Sequence, residues 1–299
     1  LFTPADGIAG VEFARADGQR VAAWVPGSHI TLHLPNGLSR QYSLCGDPAD
    51  RDGYTIAVLR AAESRGGSQW VHDSLRVGTQ IDVSGPHSHF ELEPSGEYLF
   101  VAGGIGITPI KAMIDSLPAR RSWRLLYAGR SRASMAFAGD LVAAYGNRVT
   151  IHADDEQGGR PDLDAFLASS QAQVYVCGPE PLLAAVAQRV PEDRLHYERF
   201  AAVERADDAP DEAFEVVMAR SGTRFTVEAG QTLLDALNQH GAAVISSCGE
   251  GVCGTCEVRV HSGEPLHRDS LSTDADKDEI RVMYPCVSRS RTSVLTLDI

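Results

Sequence analysis

The 299-residue chain contains no run of 18 apolar residues, which excludes a conventional membrane-spanning helix. No charged start followed by a short apolar core is visible, so no secretory signal is read, and Leu1 in place of methionine suggests a trimmed start. Basic charge is scarce: 27 Lys and Arg stand against 40 Asp and Glu, a formal net charge of −13. That balance argues against a nucleic-acid partner and leaves a positively charged protein partner open, although most such charge is solvated surface. Neither an internal repeat nor a long low-complexity segment interrupts the chain. A chain of this length has room for two or three domains, each with its own core.

Cysteine is sparse but patterned. Cys248, Cys253 and Cys256 show C-x4-C-x2-C spacing within a glycine-rich run, and Cys286 follows about thirty residues later. This is the plant-type [2Fe–2S] ligand spacing, in which four thiolates hold two irons. A loop wrapped around inorganic sulfides must turn sharply and aim N–H groups inward, which Gly249, Gly251 and Gly254 permit, leaving Val252 and Thr255 to face outward. Zinc is the nearest rival, but zinc ribbons favour two short cysteine pairs. Cys45 and Cys177 lie outside ligand spacing and read by default as small buried hydrophobes. Iron thiolates in place of a disulfide framework fit a reducing cytoplasm.

Three blocks follow one another. Residues 1–97 are β-rich: Val21–Val25, His29–Leu34 and Tyr54–Leu59 read as strands punctuated by Pro-Gly, Asn-Gly and Asp-Gly turns, and His29–Leu34 alternates as a barrel wall would. Residues 98–200 alternate strands with helices. Tyr98–Ala102, Arg124–Tyr127, Val149–Ile151 and Gln173–Val176 predict a parallel sheet that binds ligands beyond the carboxyl ends of its strands. Residues 201–212 are acidic and aperiodic and read as a linker. In residues 213–299, Phe214–Met218 and Arg224–Val227 predict a hairpin, and Thr232 a cap for a helix carrying Leu233, Leu234 and Leu237.

Gly103-Gly104-Ile105-Gly106-Ile107-Thr108-Pro109 joins an apolar strand to a helix, an arrangement that offers free N–H groups to a pyrophosphate, although Pro109 stands where G-x-G-x-x-G would place its third glycine. Cys177-Gly178-Pro179 makes a second glycine turn. In the barrel, Arg40-Gln41-Tyr42-Ser43 and Arg65-Gly66-Gly67-Ser68 supply guanidinium forks, N–H groups and an aromatic ring suited to a phosphate and a cofactor plane. Ala128-Gly129-Arg130-Ser131-Arg132 offers no acid for a ribose 2′-hydroxyl and two arginines that could take a 2′-phosphate, which on physics alone leans towards NADPH.

Taken in order, Arg-x-Tyr-Ser, Arg-Gly-Gly-Ser, Gly-Gly-Ile-Gly-Ile-Thr-Pro, Cys-Gly-Pro, His196-Tyr197-Glu198-Arg199-Phe200 and the C-terminal cysteines make the whole chain resemble the phthalate dioxygenase reductase family of the ferredoxin reductase superfamily. The resemblance implies a multidomain protein: an antiparallel six-stranded flavin-binding β-barrel, an α/β parallel-sheet NAD-binding domain and a C-terminal β-grasp plant-type ferredoxin. It implies FMN contacts at Arg40, Gln41, Tyr42 and Ser43, with Ser43 near flavin N5, and phosphate contacts at Arg65, Gly66, Gly67 and Ser68. Gly104, Gly106 and Thr108 would face the nicotinamide nucleotide, Cys177 and Gly178 would border the nicotinamide, and Phe200 would cover a flavin face, while Arg130 is a nucleotide-binding candidate from its own place after the second strand of the sheet. Ser43, Cys177 and Phe200 are thus the implied catalytic residues, and Cys248, Cys253, Cys256 and Cys286 the implied iron ligands. The segment Gly85-Pro86-His87-Ser88-His89-Phe90 departs from the family's usual Pro-Arg-Asn-His-Phe.

The activity so implied is NADH oxidation through FMN and the [2Fe–2S] cluster to a terminal oxygenase, either a separate Rieske-type oxygenase or O-demethylase, or a haem domain fused to this chain. NADH is expected over NADPH on the resemblance. A hydride donor delivers two electrons and the cluster accepts one, so a flavin must stand between them. Plant-type clusters lie near about −400 mV, so N–H groups or solvent around Cys253 and Cys256 are expected to raise this one. The chain is expected to be monomeric, without a membrane partner. A non-catalytic redox carrier or sensor is the competing class.

Overall fold

The turn-punctuated first block folds into six strands: β1 (Phe2–Ala5), β2 (Ile8–Phe13), β3 (Ser28–His33), β4 (Ser39–Ser43), β5 (Tyr54–Leu59) and β6 (Asp82–Ser88). In the computed structural model, which describes residues 1–168, 171–202, 211–271 and 279–299, they pair antiparallel in the orders β1-β2-β5 and β4-β3-β6. Leu44 bridges Ile56, and the Cys45 N–H donates to the Thr55 carbonyl at 2.9 Å, joining the two sheets into a barrel. Ile30, Leu32, Leu44, Ile56 and Val58 fill it.

One expectation for this block is corrected. Val21–Val25 is not a strand, because its backbone is held by side chains in place of a ladder: Arg51 Nε donates to the Val21 carbonyl at 2.9 Å, and the Tyr54 hydroxyl to the Ala22 carbonyl at 3.0 Å. The polar positions of β3 do not face solvent. His29 and Thr31 are buried, and the His29 ring lies against those of His87 and His89 at 6.1 and 6.2 Å, so the segment that departs from the family pattern covers the outer face of β3.

The second block contributes β7 (Glu97–Gly103), β8 (Ser122–Gly129), β9 (Val149–Ala153), β10 (Gln173–Cys177) and β11 (Leu195–Glu198), all parallel, in the order β11-β10-β7-β8-β9. Chain order reverses between β7 and β10, which makes the gap beyond their carboxyl ends the topological switch point. Strand β11 is missing from the sequence expectation because Leu-His-Tyr-Glu is half polar and only half-buried at the sheet edge. The helix Ile107–Ser116 buries Ile107, Ile110, Met113 and Ile114, the i, i+3, i+4 spacing of a core-facing stripe. Lys111 on this helix donates to the Cys45 carbonyl at 3.2 Å and to Asp115 at 2.6 Å, and Tyr145 donates to the other Asp115 oxygen at 2.6 Å. The barrel and the sheet form one unit, Leu1–Phe200.

The second unit, Ala201–Ile299, carries β12 (Phe214–Met218), β13 (Arg224–Val227), β14 (Val258–Ser262), β15 (Pro265–Leu266), β16 (Val282–Met283), β17 (Arg289–Ser290) and β18 (Val294–Leu297). Its mixed sheet runs β13-β12-β18-β14-β16, with β12 and β18 parallel and β15 pairing separately with β17. The hairpin β12–β13 and the helix Leu233–Gln239, capped where the Thr232 hydroxyl accepts from Asp235 N–H at 3.0 Å, occur as the sequence predicts. Leu233, Ala236 and Leu237 pack onto the sheet, a β-grasp arrangement. Of the expected linker 201–212, residues 203–210 lie outside the described residues. Among the described residues no helix is long and apolar enough to cross a membrane.

Candidate functional site

At the switch point two glycine turns meet at van der Waals distance. A Cβ on Gly106 would stand 2.2 Å from the Cys177 carbonyl oxygen, and one on Gly103 would stand 2.7 Å from Pro179 Cδ. Glycine is therefore required there by close approach of backbone to backbone. Gly104 takes φ +53° and opens the turn. Thr108 is buried, its hydroxyl donating to the Ile105 carbonyl at 3.0 Å, so it braces the turn from within. Pro109 falls in the first turn of the helix, where its missing N–H leaves no hydrogen bond unmade.

Beside this crevice the barrel reaches the sheet. Parallel register places Cys177 opposite Glu198, and Ser43 at the end of β4 donates to Glu198 Oε2 at 3.4 Å, with Cys177 Sγ 4.0 Å from the same oxygen. Two residues named from sequence thus converge on a third that was quoted only as part of a motif. Glu198 keeps some exposed area, yet its carboxyl sits deep among protein atoms. Lost hydration pushes its pKa up to about 8, opposed by the Ser43 hydrogen bond, and burial likewise raises the Cys177 thiol. The signal in the sequence was its place inside the His196–Phe200 motif. Phe200 follows, 42% exposed, beyond an Arg199 whose guanidinium pairs with Glu180 at 2.8 and 3.2 Å and lies 4.4 Å from the Tyr197 ring centroid.

On the barrel, Arg40 crosses to the Arg65–Ser68 turn, donating to the Arg65 carbonyl at 3.0 Å. Gly66 adopts φ 87°, and a Cβ on Gly67 would stand 2.5 Å from Arg40 Cγ. The bare Gly66-Gly67 backbone therefore lies directly under a guanidinium, a donor set that fits a phosphate monoester. Ser68 Oγ is 3.0 Å from Ser64 Oγ, and Gln41 and Tyr42, which follow Arg40, are half-buried on β4. Burial raises the Tyr42 hydroxyl to about 12 against the pull of Arg40, so the ring stays neutral. Arg130, exposed, follows β8 and flanks the crevice one strand further along.

In the second unit, the loop between the helix and β14 supplies Cys248, Cys253 and Cys256, and the chain after β16 supplies Cys286. Leu234 N–H donates to the Pro285 carbonyl at 3.0 Å, tying the helix start to the residue before Cys286. Cys253, Cys256 and Cys286 are buried and Cys248 partly exposed. Cys253 and Cys286 hydrogen-bond to Cys248 and lower its thiol, Cys286 does the same for Cys256, and the two donors are raised in turn, so the four sulfurs titrate as one closely placed set. Glu250 N–H points at Cys248 Sγ at 3.3 Å. Thr255 does not simply face outward: Cys253 Sγ reaches its hydroxyl at 3.4 Å. Gly251 has φ +68°, and a Cβ there would stand 2.6 Å from Val287 Cγ2 and 2.8 Å from Asp269 Cα. Four free thiols are the donor set that a [2Fe–2S] cluster takes.

Comparison with known proteins bears on the same regions. The 2Fe-2S iron-sulfur cluster binding domain family matches residues 216–291. Phenoxybenzoate dioxygenase subunit beta of Ectopseudomonas oleovorans is 45% identical, covering 93% of this chain and 89% of that protein. The structure of phthalate dioxygenase reductase, a modular structure for electron transfer from pyridine nucleotides to [2Fe–2S], matches with TM-score 0.70 at 34% identity over 99% of this chain and 94% of its own. An intact type IV self-sufficient cytochrome P450 monooxygenase matches all of this chain with TM-score 0.90 and 43% identity, and this chain spans 40% of its length. With flavin-barrel, nucleotide-sheet and ferredoxin elements in that order, the chain belongs to the phthalate dioxygenase reductase family, the iron–sulfur electron-transfer reductases of oxygenase systems.

Proposed function

We propose that this reductase oxidises NADH and, through FMN and the [2Fe–2S] cluster, supplies electrons to a terminal oxygenase of Rieske or O-demethylase type. Residues 1–97 would hold FMN, 98–200 the nucleotide and 213–299 the cluster, joined by 201–212. The convergence of Ser43 from the barrel and Cys177 from the sheet on Glu198 carries this reading, because it joins the two modules beside the switch-point glycines. FMN held there would supply the change from two-electron hydride uptake to one-electron release that a one-electron cluster requires.

The polypeptide supplies placement. Arg40, Arg65, Gly66, Gly67 and Ser68 would bind the FMN phosphate, and Gln41, Tyr42 and Ser43 the ring edge. Gly104, Gly106 and Thr108 shape the pyrophosphate turn, while Arg130 borders the adenosine side. Cys177 and Gly178 floor the nicotinamide position, and Phe200 shields the flavin face from water. Glu198, holding its proton up to about pH 8, keeps negative charge away from Ser43 and Cys177. Cys248, Cys253, Cys256 and Cys286 would ligate the irons.

Anaerobic titration of the purified protein with NADH tests the reading. Bleaching of both flavin and cluster is expected, with FMN identified by mass spectrometry of the released flavin. Absence of any reduction would leave only the non-catalytic carrier. The full-length match to the self-sufficient monooxygenase favours a second reading, in which the acceptor is a haem domain of the same polypeptide. The complete reading frame discriminates between them.

A further inference from the structure

The two arginines after β8 acquire a different meaning once the fold is known. Strands β8 and β9 are parallel neighbours with Gly129 opposite Ala153, so the chain leaving β9 emerges beside the chain leaving β8, on the ligand side of the sheet. The β9 exit is Asp154-Asp155-Glu156. Asp155 N–H donates to the Arg130 carbonyl at 3.1 Å, fixing the two exits together. Across them Glu156 takes Arg132 in a two-point pair, Nε to Oε1 at 3.1 Å and Nη2 to Oε2 at 2.9 Å.

A carboxylate held side-on by Nε and Nη2 takes the two-point edge that a phosphate would use and matches the guanidinium charge. Both side chains of this pair are nearly half exposed, so its contribution to stability is small. Its effect on an incoming anion is not small, because the arginine charge is already matched by Glu156 and the Asp155 carboxylate acts on it as well. The acid that a sequence search would seek directly after β8 is here supplied by the neighbouring strand's exit, 24 residues after Arg132.

We propose that Glu156, by occupying Arg132, selects against dinucleotides with a 2′-phosphate and is the residue that makes this enzyme discriminate NADH from NADPH. This rests on the reading of NADH as donor. The test uses the holoprotein and the E156Q variant, with 5′-AMP and 2′,5′-ADP as probes by calorimetry, and with kcat/KM for NADH and NADPH measured alongside. In E156Q the affinity ratio of 2′,5′-ADP to 5′-AMP is expected to rise about tenfold, equivalent to about 1.4 kcal/mol, and the NADPH to NADH ratio of kcat/KM to follow. In the double variant E156Q/R132A this gain is expected to vanish. An unchanged ratio in E156Q, or a gain that survives removal of Arg132, overturns the inference while leaving NADH as donor. A tenfold wild-type preference for NADPH overturns the donor reading itself and is seen without any variant.

Discussion

At the scale of single residues, glycine and one buried acid carry the sharpest consequences. Gly251 combines a left-handed backbone with neighbours that cannot retreat, since one of them is the Asp269 Cα. Gly251→Ala is expected to destabilise the ferredoxin unit by about 2–5 kcal/mol, the sum of overpacking and left-handed strain. Cluster absorbance per chain and the melting temperature of that unit should fall together; a fully loaded variant with unchanged melting would refute this assignment. Glu198 makes a prediction in pH. Its folded pKa, raised to about 8 from 4.5, means that the folded state holds a proton which the unfolded state has released across that interval. Its stabilising contribution is therefore fully present below about pH 4.5 and lost as pH rises through about 8. Glu198→Gln should flatten this part of the stability curve, measured by denaturant titration at several pH values, and a slope identical to wild type would show that the carboxyl is ionised in the native protein.

At the scale of elements, the switch point depends on two turns touching. Gly106→Ala would drive a methyl group into the Cys177 carbonyl, a backbone atom held in the β10 ladder. The turns must separate, so a loss of about 1–3 kcal/mol in stability is expected together with a rise in KM for the nicotinamide nucleotide. Unchanged stability and KM would mean that the contact is not maintained in solution. This pair of turns was legible in sequence because each carries its own glycine signature after an apolar strand. Val21–Val25 misled because a β-rich composition says nothing of the Arg51 and Tyr54 side chains that claim its backbone. Strand β11 was illegible for the opposite reason, since an edge strand of four mixed residues has no periodicity to read. The partners of Glu198 lie on other strands and that of Arg132 just beyond the end of a neighbouring one, so only the folded chain brings them together.

At the scale of the whole molecule, the division of labour can be tested by cutting the route after its first stage. Cys286 is the proposed ligand most distant in sequence from the other three, and β16 returns the chain so that it packs with Cys256, Leu234 and Tyr284. A serine there keeps the size of the side chain but replaces the soft thiolate that the cluster requires. Cys286→Ser should leave NADH-driven reduction of ferricyanide, which can draw electrons from the flavin stage, within about twofold of wild type, because no residue of the Ser43, Glu198 and Cys177 convergence is touched. Reduction of a one-electron protein acceptor should fall by at least about a hundredfold. Equal loss of both activities would show that the two units do not work as successive stages, and retention of both would remove the cluster from the route. The sequential arrangement predicts only the split outcome, because electrons reach Cys286 after the nucleotide has already reacted.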